Sequence, residues 1–329
     1  MTVHVLKPGL LSSLQDAGRT GHAAIGVGRA GAMDGPAWQL ANALVGNRGD
    51  EAAMECTLLG PTLRFDSATW IALTGAPISA RIGELEVPQW TACAVPSGSI
   101  LQLGGMPIGC RSYLAVQGGF DVPPVLGSRS SDLHAGLGYE GGRALRGGDV
   151  LPLGVIEKLL PALTRPERPA PLSWGLDPQP WFDFAQTPIE LLHGSHWDQL
   201  DISSQQNLFE QRFLLSKDSN RTASRLDGQT LKLRSPLEMI SEAALPGTMQ
   251  LPSSGQPIIL MAEAPVTGGY PRIGQVAAVD MPRLAQRRPG AAVSFRQVSL
   301  EHALSRLLER QQALNRVLGY LARRLEQPP

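Results

Sequence analysis

Along most of the chain, short runs of apolar or β-branched residues alternate with glycine, proline, asparagine or aspartate, the rhythm of half-buried strands separated by turns. The N-terminal Thr2-Val-His-Val-Leu-Lys7 reads as the first such strand. Four segments share one local grammar, in which a glycine turn feeds a strand of period two: Gly60 to Phe65, Ser97 to Leu103, Gly147 to Leu153 and Pro289 to Phe295. Helical periodicity is confined to two places and short connectors. One helix is predicted to start at Asp34, whose carboxylate can accept from unpaired N–H groups while Pro36 fits the first turn. Trp38, Ala41 and Val45 then share a face, and Gly46 ends it. The other is predicted from Leu300 to Leu325, roughly 39 Å at 1.5 Å per residue. Its stripe comprises Leu300, Leu304, Leu307, Leu308, Leu314, Val317, Leu318, Leu321 and Leu325. The stripe packs on the protein's own sheet or presents a face to a partner.

Between 155 and 188 the alternation stops and prolines stand at 161, 166, 169, 171, 178, 180 and 188, which is the composition of a stiff connector. The expected organisation is therefore an N-terminal β domain over 1–155, a proline-rich connector over 156–187, a second β domain over 188–298 and a terminal helix over 299–329. A length of 329 residues suits two domains, each able to close a core.

Composition narrows the function. Lys plus Arg and Asp plus Glu are both 29, so no net positive field draws the chain to nucleic acid or an anionic membrane. Neither is an expected partner. The 36 glycines and 27 prolines, about a fifth of the chain, accompany 43% hydrophobic residues, which means many turns around a core. Cys56, Cys93 and Cys110 form no Cys-x-x-Cys pair, and no apolar stretch approaches the roughly 20 residues of a membrane span. The start of the sequence lacks the features of a signal peptide, so a reducing cytoplasm is the expected location.

Gly26-Val-Gly28-Arg-Ala-Gly31 matches G-x-G-x-x-G, yet the residues before it are polar and glycine-broken where a dinucleotide fold needs a buried strand. It reads as a structural or substrate-facing loop. His193 and His196, three apart at a strand end, lack a third ligand cluster and read as loop residues, so no metal is expected. There is no phosphate-binding G-x-x-x-x-G-K-[ST], no G-x-S-x-G and no H-E-x-x-H, so any ATP or acyl chemistry draws on another chain or on an unrecognised site. Three polar constellations stand on glycine turns instead: Gln15-Asp16-Ala-Gly18-Arg19, the segment Gly118 to Asp132 with Ser128 and Arg129, and Thr267-Gly268-Gly269-Tyr270-Pro271. An acid and a guanidinium three apart can orient a small polar ligand, and glycine loops let N–H groups approach an anion or carbonyl.

These segments resemble the family known as the 5-oxoprolinase C subunit, allophanate hydrolase subunit 2 or biotin-dependent carboxyltransferase-like proteins. The resemblance runs through Gly9 to Arg19, Gly31-Ala-Met-Asp34, Leu40 to Asn47, Glu55 to Phe65, Arg111 to Val116, Gly255 to Ile258 and Thr267 to Pro271. It implies two cyclophilin-like β-barrel domains and partnership with homologues of the B and A subunits in an ATP-dependent opening of 5-oxo-L-proline to L-glutamate. This chain alone would bind no cofactor. The alternatives within the resemblance are half of a biotin-dependent carboxyltransferase acting on urea or a related amide, and a non-catalytic antagonist of a kinase inhibitor similar to the B subunit. Where relatives read Ser-Asn-Arg-Met-Gly-Tyr-Arg-Leu, this chain has Ser219-Asn-Arg-Thr222-Ala223-Ser224-Arg225-Leu226. The expected site is one polar cleft bordered by Asp16, Arg19, Asp34, Ser128, Arg129, Asp132, Thr267, Gly268, Gly269 and Tyr270. In it Asp16 or Asp132 orients an amide N–H, Arg129 holds a carboxylate or carbonyl oxygen, and Arg19 completes the catalytic set.

Overall fold

The computed structural model describes residues 1–156, 160, 163, 168–183 and 185–327, so about a third of the expected connector lies outside the described residues. The protein is mainly β with a long C-terminal helix, as its alternation predicts. It divides into two compact units. The first holds 1–19, 34–184 and 313–329, and the second holds 20–33 and 185–312. Thr20–Met33, inside the N-terminal domain on the sequence reading, thus counts with the second unit.

The first unit contains two six-stranded sheets. One runs in the order Val150–Pro152, Thr2–Lys7, Thr62–Phe65, Ile100–Leu103, Ala80–Ile82 and Leu85–Glu86. The other runs Ala170–Pro171, Ala92–Val95, Thr69–Gly75, Arg111–Val116, Ala53–Thr57 and Leu11–Gln15. Alternate side chains of both, among them Val3, Val5, Leu63, Phe65, Leu14, Met54, Ile71 and Leu114, meet in one buried cluster. The second unit contains an eight-stranded sheet whose edge strands, Ala292–Val293 and Phe295–Gln297, are separated only by Ser294, so the sheet nearly closes on itself. Ile189, Leu191, Phe213, Leu226, Met249, Ile259 and Ile273 fill it. Each of the four glycine-fed segments does carry a strand, and Gly148 and Gly290 hold positive φ of 96° and 80° at the turns before two of them.

Helix α1 (Gly35–Leu44) has Asp34 as its N-cap, with the carboxylate accepting from the Ala37 N–H at 3.1 Å. Helix α2 (Ile202–Glu210) escapes the apolar pattern, because only Ser204 and Leu208 of it are buried; its signal is the cap, Asp201 accepting from Ser204 N–H at 2.7 Å. After the one-turn α3 (Met281–Ala285), α4 spans Leu300–Leu325. Its apolar stripe has two fates. Leu314, Leu321 and Leu325 are buried, whereas Leu300, Leu304, Leu307 and Leu308 remain exposed. Packing on the protein's own core therefore explains only the C-terminal half of the stripe. Among the described residues, no helix is long and apolar enough to cross a membrane.

Candidate functional site

In the first unit, strand alternation sends Leu14 and Met54 into the core and places Ser13, Glu55, Tyr113 and Thr74 directly opposite one another across four adjacent strands. This row is polar and almost fully buried, at 2, 1, 0 and 0% exposure. Helix α1 covers it. The Asp34 N–H donates to the Tyr113 hydroxyl at 2.7 Å, that hydroxyl donates to Glu55 Oε2 at 2.7 Å, and Thr74 Oγ1 donates to the Ala37 carbonyl at 2.7 Å. Arg111 Nε stands 3.6 Å from Glu55 Oε1. Burial, reinforced by the charges of Glu55 and Asp34, holds the Tyr113 phenol well above its ordinary range, so it serves as a neutral donor.

Beside this row, Asp16 ties its own loop to a distant one. Its Oδ1 accepts from the Gly18 N–H at 2.8 Å, Ser128 Oγ at 2.6 Å and Ser130 Oγ at 2.5 Å, and its Oδ2 accepts from the Arg129 N–H at 2.5 Å. Arg19, 2% exposed, donates to the Ser130 carbonyl. The structure thus gathers Asp16, Arg19, Ser128 and Arg129. The Arg129 guanidinium turns to the Val122 carbonyl and to Asp121 Oδ1, and Asp132 accepts from the backbone N–H groups of His134 and Ala135. Asp34 sits at the head of α1 as its N-cap. Gln15, fully buried, donates to Ser13 Oγ and to the Ser131 carbonyl, but its Oε1 and the neighbouring Ser131 Oγ have no hydrogen-bond partner. Each orphaned buried polar atom costs about 1–3 kcal/mol, so two in one place make this loop junction a candidate position for a hydrogen-bonding group.

Thr267, Gly268, Gly269 and Tyr270 belong to the second unit. Thr267–Gly268 pairs with Glu242–Ala243 in a two-stranded ribbon, and Tyr270 is 47% exposed. In the same unit Arg221 and Glu263, both buried, form an ion pair with Arg221 Nε 2.5 Å from Glu263 Oε1, and Arg221 also donates to the Gly31 carbonyl at 2.7 Å. The G-x-G-x-x-G segment is a loop after the short Ala23–Ile25 turn, with the Ala30 N–H donating to the Ala262 carbonyl. His193 stacks on Trp197 at 3.9 Å between ring centroids, and His196 Nδ1 accepts from the Arg272 N–H at 3.2 Å. No group of three or more potential metal ligands occurs among the described residues. Burial pushes the Cys56 thiol up to about 12 and the Cys93 thiol up to about 11, so neither is a thiolate near neutral pH.

Glu55, Arg111 and Tyr113 were not marked by sequence reasoning as site residues. They sit in runs that read as ordinary strand, and the available signal was charged or hydroxyl-bearing residues inside otherwise apolar strands. Gln250 escaped for the same reason, whereas Arg221 and Glu263 lie in turns beside the strands Ala223–Asp227 and Ile258–Leu260.

Residues 25–297 match the family description "Carboxyltransferase domain, subdomain A and B". The chain belongs to that family. It is 40% identical over 302 residues to the 5-oxoprolinase C subunit of Escherichia coli (strain K12), covering 91% of this chain and 92% of the relative. It is 37% identical to the 5-oxoprolinase C subunit of Haemophilus influenzae, covering 89% and 90%. A crystal structure of the K. lactis urea amidolyase superposes with a TM-score of 0.83 at 29% identity, covering 96% of this chain and 20% of that much longer one.

Proposed function

We propose that the chain is the C subunit of an ATP-dependent 5-oxoprolinase, opening 5-oxo-L-proline to L-glutamate together with A and B subunits. The observation that carries this reading is the end-to-end likeness to two proteins named as the C subunit of 5-oxoprolinase, over about nine-tenths of both lengths. Against the urea amidolyase of Saccharomyces cerevisiae the chain matches only 18% of the relative's length.

An unstrained lactam resists attack because amide resonance delocalises the nitrogen lone pair. Coupling to ATP through an activated carbonyl overcomes that barrier; in this chain the Gly26–Gly31 segment is a loop whose Ala30 N–H donates to the Ala262 carbonyl, so that segment lends no support to a nucleotide site of its own. This chain's contribution is to bind and orient. Gln15 Oε1 and Ser131 Oγ are unpaired acceptors suited to a substrate N–H. Asp16 is a positioning residue, because its oxygens are taken by four donors of the protein; Arg19 braces the same loop through the Ser130 carbonyl, and Asp132 shapes the following turn. Arg129 keeps donors beyond those used on Asp121 and Val122 and offers them to a carboxylate or carbonyl oxygen. Asp34 sets the Tyr113 hydroxyl through its N–H.

The test is reconstitution with the cognate A and B subunits, measuring glutamate released from 5-oxo-L-proline with and without ATP. Release that needs both ATP and this chain is expected. Full activity in its absence overturns the proposal, and carboxybiotin-dependent turnover of urea would place the chain in a carboxyltransferase instead.

A further inference from the structure

In the second unit, the strand Thr248–Gln250 sends Met249 into the barrel core and Gln250 to a covered position, 3% exposed. The pairing with the strand Arg272–Val276 shifts between Met249 and Gln250, so that Gln250 stands directly opposite Arg272. Such bulges re-aim side chains. The Glu242–Ala243/Thr267–Gly268 ribbon reaches both: Arg272 forms an ion pair with Glu242 and donates to the Ala243 carbonyl, and Gly268 lies so close to Gln250 that a methyl group on it would fall 2.4 Å from Gln250 Nε2. Beneath this ribbon two buried N–H donors, Gln250 Nε2 and Arg272 Nε, have no hydrogen-bond partner. Glu242 already balances the Arg272 charge, so what is left is a pair of donors without a net charge. That is the chemistry of a site for a neutral oxygen acceptor rather than for a full anion.

We propose that Gln250 and Arg272, under the Gly268 ribbon, form a binding subsite for an amide carbonyl oxygen. Its assignment to the lactam carbonyl rests on the 5-oxoprolinase reading; the subsite itself does not, since a urea carbonyl presents the same acceptor. Gln250 is the specificity-determining donor, and Gly268 is the residue whose missing side chain leaves that donor its space.

The full chain, labelled with 15N, is titrated with 2-pyrrolidinone, with urea and with L-proline, which has no amide carbonyl, while the Gln250 side-chain amide resonance is followed. Saturable downfield movement with 2-pyrrolidinone or urea and none with L-proline is expected. Gln250→Met, which keeps length and removes the donor, and Gly268→Ala, which fills the space beside it, should each weaken binding of the responding probe about tenfold. In the assembled complex, Gln250→Met should raise KM for 5-oxo-L-proline about tenfold with kcat little changed. No movement with either amide, or Gln250→Met and Gly268→Ala both binding like the wild type, overturns the proposal. Should the assembled wild type release no glutamate while the Gln250 resonance still responds, the subsite stands and the 5-oxoprolinase reading falls.

Discussion

Asp16 in the first unit and Glu190 in the second are both buried carboxylates, at 6 and 0% exposure, and they are accommodated by opposite means. Asp16 receives neutral donors, two serine hydroxyls and two backbone N–H groups, three of them from residues 128–130. Glu190 lies between the core residues Ile189 and Leu191 and faces away from them, toward Arg296 on the neighbouring strand and His302 and Arg306 on α4. Asp280 joins it there, accepting from the Glu190 N–H and pairing with Arg283. Burial by itself would raise the Glu190 carboxyl, but the hydrogen bonds from Arg296, His302 and Arg306 and the charge of Arg306 outweigh it and hold the carboxyl at about 2. A carboxylate can thus be buried either by saturating its lone pairs or by balancing its charge. Only the second means is exposed to screening by salt.

The sharpest break of this contrast is Asp16→Ala, which orphans four donors at once and is expected to destabilise the first unit by about 3–5 kcal/mol in urea unfolding, with no dependence on salt. Glu190→Gln is expected to cost about 2 kcal/mol at low salt and markedly less near 1 M NaCl, where the Debye length is only about 3 Å and the partly exposed arginines are screened. Because the folded Glu190 carboxyl lies below its unfolded value, its contribution is fully present above about pH 5 and is lost as pH falls toward about 2. Unfolding midpoints between pH 7 and pH 3 should therefore fall less steeply for Glu190→Gln than for the wild type. Ser130→Ala removes one of the four donors to Asp16 and should cost about 1–2 kcal/mol, again independent of salt. The exposed Arg81–Glu84 pair, 3.4 Å apart, is the control: Glu84→Ala should change stability by no more than roughly 0.5 kcal/mol.

Much of the fold was legible because it depends on local rules. Period-two alternation and glycine turns located strands in both units, and the Asp34 cap with Pro36 located α1 to within a residue or two. The exception is informative: α2 carries a sound N-cap at Asp201, but an apolar face reduced to Leu208 leaves no periodicity to read. The site was legible in part. Asp16, Arg19, Ser128 and Arg129 announced themselves as polar residues on glycine loops, and the structure brings them together. Their division of labour was not legible, because whether a carboxylate faces a ligand or is consumed by serines 112 and 114 positions away is a matter of tertiary contact.

By itself the sequence determined the mainly β class, the two clear helical signals and the family, since alternation, capping chemistry and contiguous motifs are all encoded within a few neighbouring residues. Tertiary structure alone decided which polar groups are left without partners. Gln15 and Gln250 look alike in sequence, each a glutamine at a strand end, and their unsatisfied atoms are an acceptor in one case and a donor in the other. It also decided the split of the α4 stripe into a buried half and an exposed half. The physical reason is common to both: hydrogen-bond satisfaction and burial are set by groups that pack from elsewhere in the chain, and no local pattern records which of them arrive.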